Sequence, residues 1–174
     1  MSVNSEMNFN FTFKNFLLIF FSGLYAITIN VPGDYTTIQD ALDVADDGDT
    51  VLVASGTYTE NLLIESGVTL LSVDGANSTV IDGISQTLGN LGSTITIRPE
   101  SGSDTIPQNI KVDGFEITGG IGNLMDIEVD DSDTRTVITR RVGGGIMAYN
   151  TSPKIKNNNI KEIDVKDNPG AKPS

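Results

Sequence analysis

GGGIMAYNTSPKIKNNNI, residues 143–160, sets three adjacent asparagines between two isoleucines. Asparagine and glycine are the residues that best tolerate a left-handed backbone. Asn157, Asn158 and Asn159 are therefore read as a bend between strands, with Ile155 and Ile160 filling a core on either side. Side-chain amides at such a bend can also stack in hydrogen-bonded ladders from one repeat to the next. Ile110-Lys111-Val112-Asp113-Gly114-Phe115 has the same form, Ile-Lys followed by turn-type residues and an apolar position. Asp113 and Gly114 are read as the equivalent bend in an earlier repeat.

The chain before this point is built from similar pieces. TVLVA starts at Thr50, TLLSV at Thr69 and TITIR at Thr94. Short apolar runs at Val51–Ala54, Leu62–Ile64, Val68–Val73 and Val80–Ile81 are separated by Gly, Asp and Ser. Such spacing predicts strands of a few residues each, and a repeat period in the twenties points to a solenoid, in which each coil stacks on the last. A single helix is expected. Thr36 and Gln39 form a capping-box pattern, and Ile38, Ala41, Leu42 and Ala45 recur at helical spacing. Asp46-Asp47-Gly48 stops this helix. Acidic residues at a helix C-terminus oppose the helix dipole, so the helix depends on packing over something that needs covering.

Composition narrows the chemistry. The 174 residues carry a net charge of -12, with 18 glycines and no tryptophan, cysteine or histidine. The charge argues against nucleic acid as a partner, since binding it requires a basic face. Without Cys or His there is no disulfide, thiol nucleophile, Cys/His zinc site or Ser-His-Asp triad. Any chemistry would fall to Asp, Glu, Lys, Arg, Tyr, Ser or a bound cation.

KNFLLIFFSGLYA, residues 14–26, reads as the end of a secretory signal peptide, with Lys14 before the apolar run Phe16–Phe21 and cleavage after Ala26. The run falls short of the roughly 20 apolar residues that span a bilayer, so no membrane span is expected after cleavage. The expected location is secreted or cell surface, in an exporting, bacterial setting. Asn77-Ser78-Thr79 and Asn150-Thr151-Ser152 match the N-glycosylation acceptor pattern, of consequence in a eukaryotic secretory route.

GDYTTIQDALDVADDGDTVLVASGTYTENLLI, residues 33–64, resembles the N-terminal cap and first coil of right-handed parallel β-helix proteins of the pectin-lyase-like superfamily. Gly33-Asp34-Tyr35, Ile38-Gln39, Ala41, Gly48-Asp49, Gly56-Thr57-Tyr58 and Glu60-Asn61 carry the likeness. VTLLSVDGANSTVIDG (68–83), VDGFEITGG (112–120) and the opening stretch continue it to about residue 163. The resemblance implies an all-β fold, a right-handed parallel β-helix with a short N-terminal capping α-helix. The fold hosts many activities, among them pectinesterases, polysaccharide lyases and bacterial surface proteins.

The catalytic motifs of those enzymes are not legible here. A pectinesterase-like site would need two aspartates, an arginine and glutamines on later coils. A polygalacturonase-like site would need a His-bearing motif, and Asp130-Asp131 alone reads as a solvated loop. A lyase of this fold would pair calcium with a Lys or Arg base. Asp126, Asp130, Asp131 and Asp133, with Glu128, could supply oxygen ligands to calcium, near Arg135, Arg140 and Arg141. Their spacing fits no defined calcium loop, and the stretch reads as an acidic insertion.

The expected organisation is a signal peptide (1–26), a cap with its amphipathic helix (27–48), β-helix coils (49–163) with an acidic insertion near 121–142, and a polar tail (164–174). The tail, VKDNPGAKPS with its neighbours, supplies no amphipathic cap. The stretch is therefore read as the start of a longer protein or a cut-down relative, whose open last coil would associate end to end with another chain. The expected function is a secreted or cell-surface module with no complete active site in this stretch, facing polysaccharide or another surface partner. The alternative is the N-terminal part of a polysaccharide lyase or pectinesterase whose catalytic coils lie beyond residue 174.

Overall fold

A computed structural model describes residues 25–83, 92–131 and 134–161 of the chain, with the backbone alone for 124–142. The expected signal peptide and polar tail lie outside the described residues, except for Tyr25 and Ala26. The elements run β1 (Thr28–Val31), α1 (Ile38–Asp43), β2 (Thr50–Val53), β3 (Gly56–Tyr58), β4 (Leu62–Ile64), β5 (Thr69–Ser72), β6 (Thr79–Asp82), β7 (Ile95–Ile97), β8 (Lys111–Asp113), β9 (Glu116–Thr118), β10 (Asn123–Asp131), β11 (Thr134–Val142), β12 (Ile146–Ala148), β13 (Lys154–Lys156) and β14 (Asn159–Ile160). The described residues are mainly β, with one short helix among them.

Three parallel sheets carry the architecture. Their strand orders are β1-β2-β5-β8-β13, β3-β6-β9-β14 and β4-β7-β12. Read along the chain, β2, β3 and β4 enter the three sheets in turn, the next two circuits each add one strand to each sheet, and β13 and β14 extend two of them. Side chains alternate across a strand, so one alternate set from every sheet faces a shared interior. Val51, Leu70 and Val112 are register partners and are all fully buried. Ile81 and Ile117 form a second such column, and Ile64 and Ile97 a third. These columns and the buried face of α1 make one continuous apolar cluster.

β10 and β11 depart from this pattern. They form an antiparallel pair of nine residues each, with Asn123 opposite Val142 and Asp131 opposite Thr134, placed between β9 and β12. Asp130 and Asp131 close the first of these strands, so they belong to a ladder, where the sequence suggested a loop.

The register corrects two sequence alignments. Thr50 and Thr69 do pair, but TITIR lies in a different sheet, where Ile95 pairs with Leu62 and Ile97 with Ile64. In the later repeat Val112 pairs with Ile155 and Ile117 with Ile160. Matching Ile110 to Ile155, as the Ile-Lys pair suggests, is wrong by two residues. A shift of two keeps every side chain on its face, so alternation alone cannot detect it.

Ile155 and Ile160, expected from their spacing to fill the core, are not core residues. They stand 39% and 51% exposed, while their partners Val112 and Ile117 are fully buried. They occupy inward columns, but β13 and β14 are the last strands of their sheets. Among the described residues no further circuit lies over them.

Candidate functional site

The N-terminal end of the core is closed by α1, whose Ile38, Ala41 and Leu42 are buried against β1, β2 and β4. The expected cap at Thr36 is one residue too early. Thr37 is the N-cap, with extended backbone and its Oγ1 accepting from Asp40 N at 3.1 Å. Two further amide groups of the first turn are met from outside the helix. Glu60 Oε1 accepts from Ile38 N at 3.1 Å, and Oε2 accepts from Gln39 N at 3.0 Å. An isolated helix of six residues is unstable in water. Here its first turn is held by a carboxylate from the first circuit, at the end where negative charge is favourable.

Gln39 does not fold back as a capping box requires. Its Oε1 accepts from Leu63 N at 2.8 Å, and its Nε2 donates to Leu63 O at 3.2 Å and to Asp43 Oδ1 at 2.6 Å. β4 is an edge strand, and its free N–H and C=O groups need partners. The Gln39 amide supplies both, in the manner of a neighbouring strand.

The acidic residues after the helix are acceptors too. Asp47 Oδ1 takes Gly67 N at 2.6 Å, and buried Asp49 takes Ile27 N at 2.8 Å and Asp46 N at 2.9 Å. The sequence showed them as a helix stop; the structure uses them to tie β1 and the next circuit to the cap.

Beside α1 lies a groove of about 320 Å³, lined by Gln39, Leu42, Asp43, Ala45, Leu63, Glu65, Ser66 and Glu100. It sets three carboxylates against an apolar floor from Leu42 and Leu63. Glu65 pairs with Arg98 at 3.2 Å. The arrangement offers hydrogen-bond acceptors beside a nonpolar surface.

At the other end of the stack, the asparagine bend links two circuits. Asn157 has φ 52° and its register equivalent Gly114 has φ 87°, so both occupy the left-handed region. Asn157 Nδ2 donates to Asp113 Oδ1 at 2.7 Å. Asn158 Oδ1 accepts from Phe115 N at 2.8 Å, and its Nδ2 donates to Val112 O at 2.9 Å. Asn159 is a strand residue of β14, with its backbone N donating to Phe115 O at 2.8 Å. Lys111 Nζ lies 2.6 Å from Asp113 Oδ2. That ammonium first, and the Asn157 amide second, hold the Asp113 carboxyl below its ordinary pKa.

A third polar junction was not legible in the sequence. Buried Asn123 Oδ1 accepts from Gly92 N and Ser93 N, each at 2.8 Å, and its Nδ2 donates to Thr96 Oγ1 at 3.0 Å. It anchors the base of the β10–β11 ribbon to β7. No local pattern marks an asparagine that will meet residues some thirty positions back. Of the expected calcium ligands, Asp126, Asp130 and Asp131 lie in β10, where the backbone alone is described, and Asp133 lies outside the described residues. Among the residues whose side chains are described, no group of three or more carboxylates is placed to hold a metal.

No protein-family model matches the chain. It is 34% identical over 94 residues to a protein of Methanothermus fervidus named "Cell surface glycoprotein", a match that covers 53% of this chain and 13% of that protein. The chain thus spans about an eighth of the relative it matches. Among the described residues no helix is long and apolar enough to cross a membrane.

Proposed function

We propose that the chain is a cell-surface module built as a right-handed parallel β-helix. The observation that carries the fold is the order in which the chain enters its three parallel sheets, one strand to each per circuit. Right-handedness follows from the general rule for crossovers between parallel strands. The surface assignment is supported by the likeness to the relative named as a cell surface glycoprotein. The module presents its side walls and the groove beside α1 to a carbohydrate or another surface partner. Asp43 and Glu100 would accept hydrogen bonds from sugar hydroxyls while Leu42 and Leu63 meet a sugar's nonpolar face.

The experiment is protease shaving and antibody labelling of intact cells, followed by polysaccharide-array binding with the purified protein. Labelling of intact cells and array retention that Asp43→Ala weakens are the expected results. Labelling only after lysis would overturn the surface reading. Retention unaffected by Asp43→Ala and Glu100→Ala would remove the groove from it.

A further inference from the structure

The turn before β6 carries chemistry that the surface reading does not use. Asn77-Ser78-Thr79 has the N-glycosylation acceptor pattern. Asn77 and Ser78 are exposed, at the apex of a turn closed by Ser78 N and Thr79 N on Gly75 O, at 3.0 and 3.2 Å. Thr79 is the opposite case. It is fully buried, and its Oγ1 lies 2.7 Å from Ser72 Oγ, which itself accepts from Gly75 N at 2.9 Å. Thr79 also starts β6 opposite Gly56, whose N donates to Ser78 O at 3.0 Å.

The acceptor pattern demands a hydroxyl two residues after the asparagine, so a transferase must reach that hydroxyl. In the folded chain the asparagine is displayed and the hydroxyl is hidden. The second pattern, Asn150-Thr151-Ser152, lies in an exposed corner between β12 and β13. Pro153 follows it directly and holds Ser152 extended, against the local turn that brings a side-chain hydroxyl back toward Asn150.

We propose that Asn77 is an N-glycosylation site modified before the chain folds, and that formation of β6 ends its availability. For its occurrence in the cell the inference rests on the export reading and on an export route that carries an N-glycosylating transferase. The glycan donor is a lipid-pyrophosphate-linked sugar. The Asn77 amide nitrogen attacks the sugar C1, forming a C–N bond as the C1–O bond to pyrophosphate breaks. The lipid pyrophosphate leaves with the electron pair, and the amide proton passes to a base of the transferase. A glycan on Asn77 points into solvent and leaves the Ser72–Thr79 pair intact, so folding follows modification without conflict.

The test supplies the unmodified full chain to a purified oligosaccharyltransferase that requires only Asn-x-Ser/Thr, with lipid-pyrophosphate-linked oligosaccharide as donor. Mass spectrometry follows the peptide that holds Asn77. Three substrates are compared: the folded chain, the chain added during refolding from urea, and Ile81→Asp, which places a charge at a fully buried position of β6. Modification is expected to be roughly 100-fold slower on the folded chain than on the other two, because it must await opening of a core strand. Thr79→Val in the Ile81→Asp background abolishes it. Equal rates on folded and unfolded chains would overturn the timing, and an unmodified Asn77 in all three would overturn the site. Enzyme and donor are added, so neither outcome depends on whether the chain is exported; a failure of export shows in the cell-labelling experiment instead.

Discussion

Asn157 Nδ2 donates to Asp113 Oδ1 at 2.7 Å, joining bends that are 44 residues apart in the chain and adjacent in the stack. The same asparagine sits at φ 52°. It therefore does two things, adopting a backbone that most residues resist and donating to a carboxylate. Asn157→Ala loses both and should cost about 2.5 kcal/mol, from roughly 1 for the left-handed backbone and about 1.5 for a hydrogen bond to a charged group. Asn157→Gly keeps the backbone and loses the bond, so it should fall between the two. Urea midpoints of the three proteins give the order. Equal midpoints for Ala and Gly would show that the backbone contributes nothing.

Stability should fall with acid, and part of the slope belongs to Asp113. Its carboxyl is held low by Lys111 and Asn157, and that of Asp34 by the backbone and side-chain N–H groups of Asn30. A carboxyl with a lower pKa in the folded than in the unfolded chain stabilises the fold above its unfolded value. That contribution is lost as pH falls through the folded one. The window thus lies on the acid side of about pH 4. Asp113→Asn should lower stability at pH 7 and flatten the decline below that point. A slope identical to wild type would exclude Asp113 as a contributor.

Glu60 is the cap of a helix that it does not belong to. Glu60→Ala leaves Ile38 N and Gln39 N without their acceptors and should cost about 1–2 kcal/mol. Glu60→Gln keeps one acceptor and should recover part of the loss. Hydrogen exchange at the Ile38 and Gln39 amides reads the effect locally, and unchanged protection in Glu60→Ala would contradict it.

Position in the stack, more than residue type, should set the cost of truncating an isoleucine. Ile117 and Ile160 are register partners in one inward column, fully buried and 51% exposed respectively. Ile117→Ala should cost about 3 kcal/mol or more, as for other buried aliphatic truncations. Ile160→Ala should cost under about 1 kcal/mol. Comparable losses in thermal unfolding would mean that Ile160 is covered in solution, by another copy or another segment.

Gly120 should tolerate no side chain. A Cβ there would stand 2.5 Å from Thr94 N and closer still to the Gly144 carbonyl oxygen, both backbone atoms. Gly120→Ala must push neighbouring backbone apart and should cost about 3 kcal/mol or more. At Gly102 the added Cβ meets nothing within 4 Å, and only its φ of 85° opposes the change. That substitution should cost about 1 kcal/mol. Matching circular dichroism melts for both variants would refute the contrast.

Much of the architecture could be read along the chain, and the reason is local. Short apolar runs such as Val51–Val53 and Leu62–Ile64, punctuated by Gly, Asp and Asn, specify strands and bends by alternation and backbone preference alone. The left-handed bend at Asn157 and Gly114, the helix after Thr37 and the absence of any His- or Cys-based chemistry needed nothing beyond neighbouring residues. What only the tertiary structure decided depends on which circuit lies next to which. Alternation is blind to a shift of two residues, so the Val112–Ile155 register was out of reach. Thr36 and Thr37 are equally good caps on paper, and Glu60 selects between them from another circuit. Gln39 turns outward because β4 has a free edge. Ile155 and Ile160 have the composition of core residues and an exposed position, because burial in a stack of repeats comes from the neighbouring circuit and not from the residue itself.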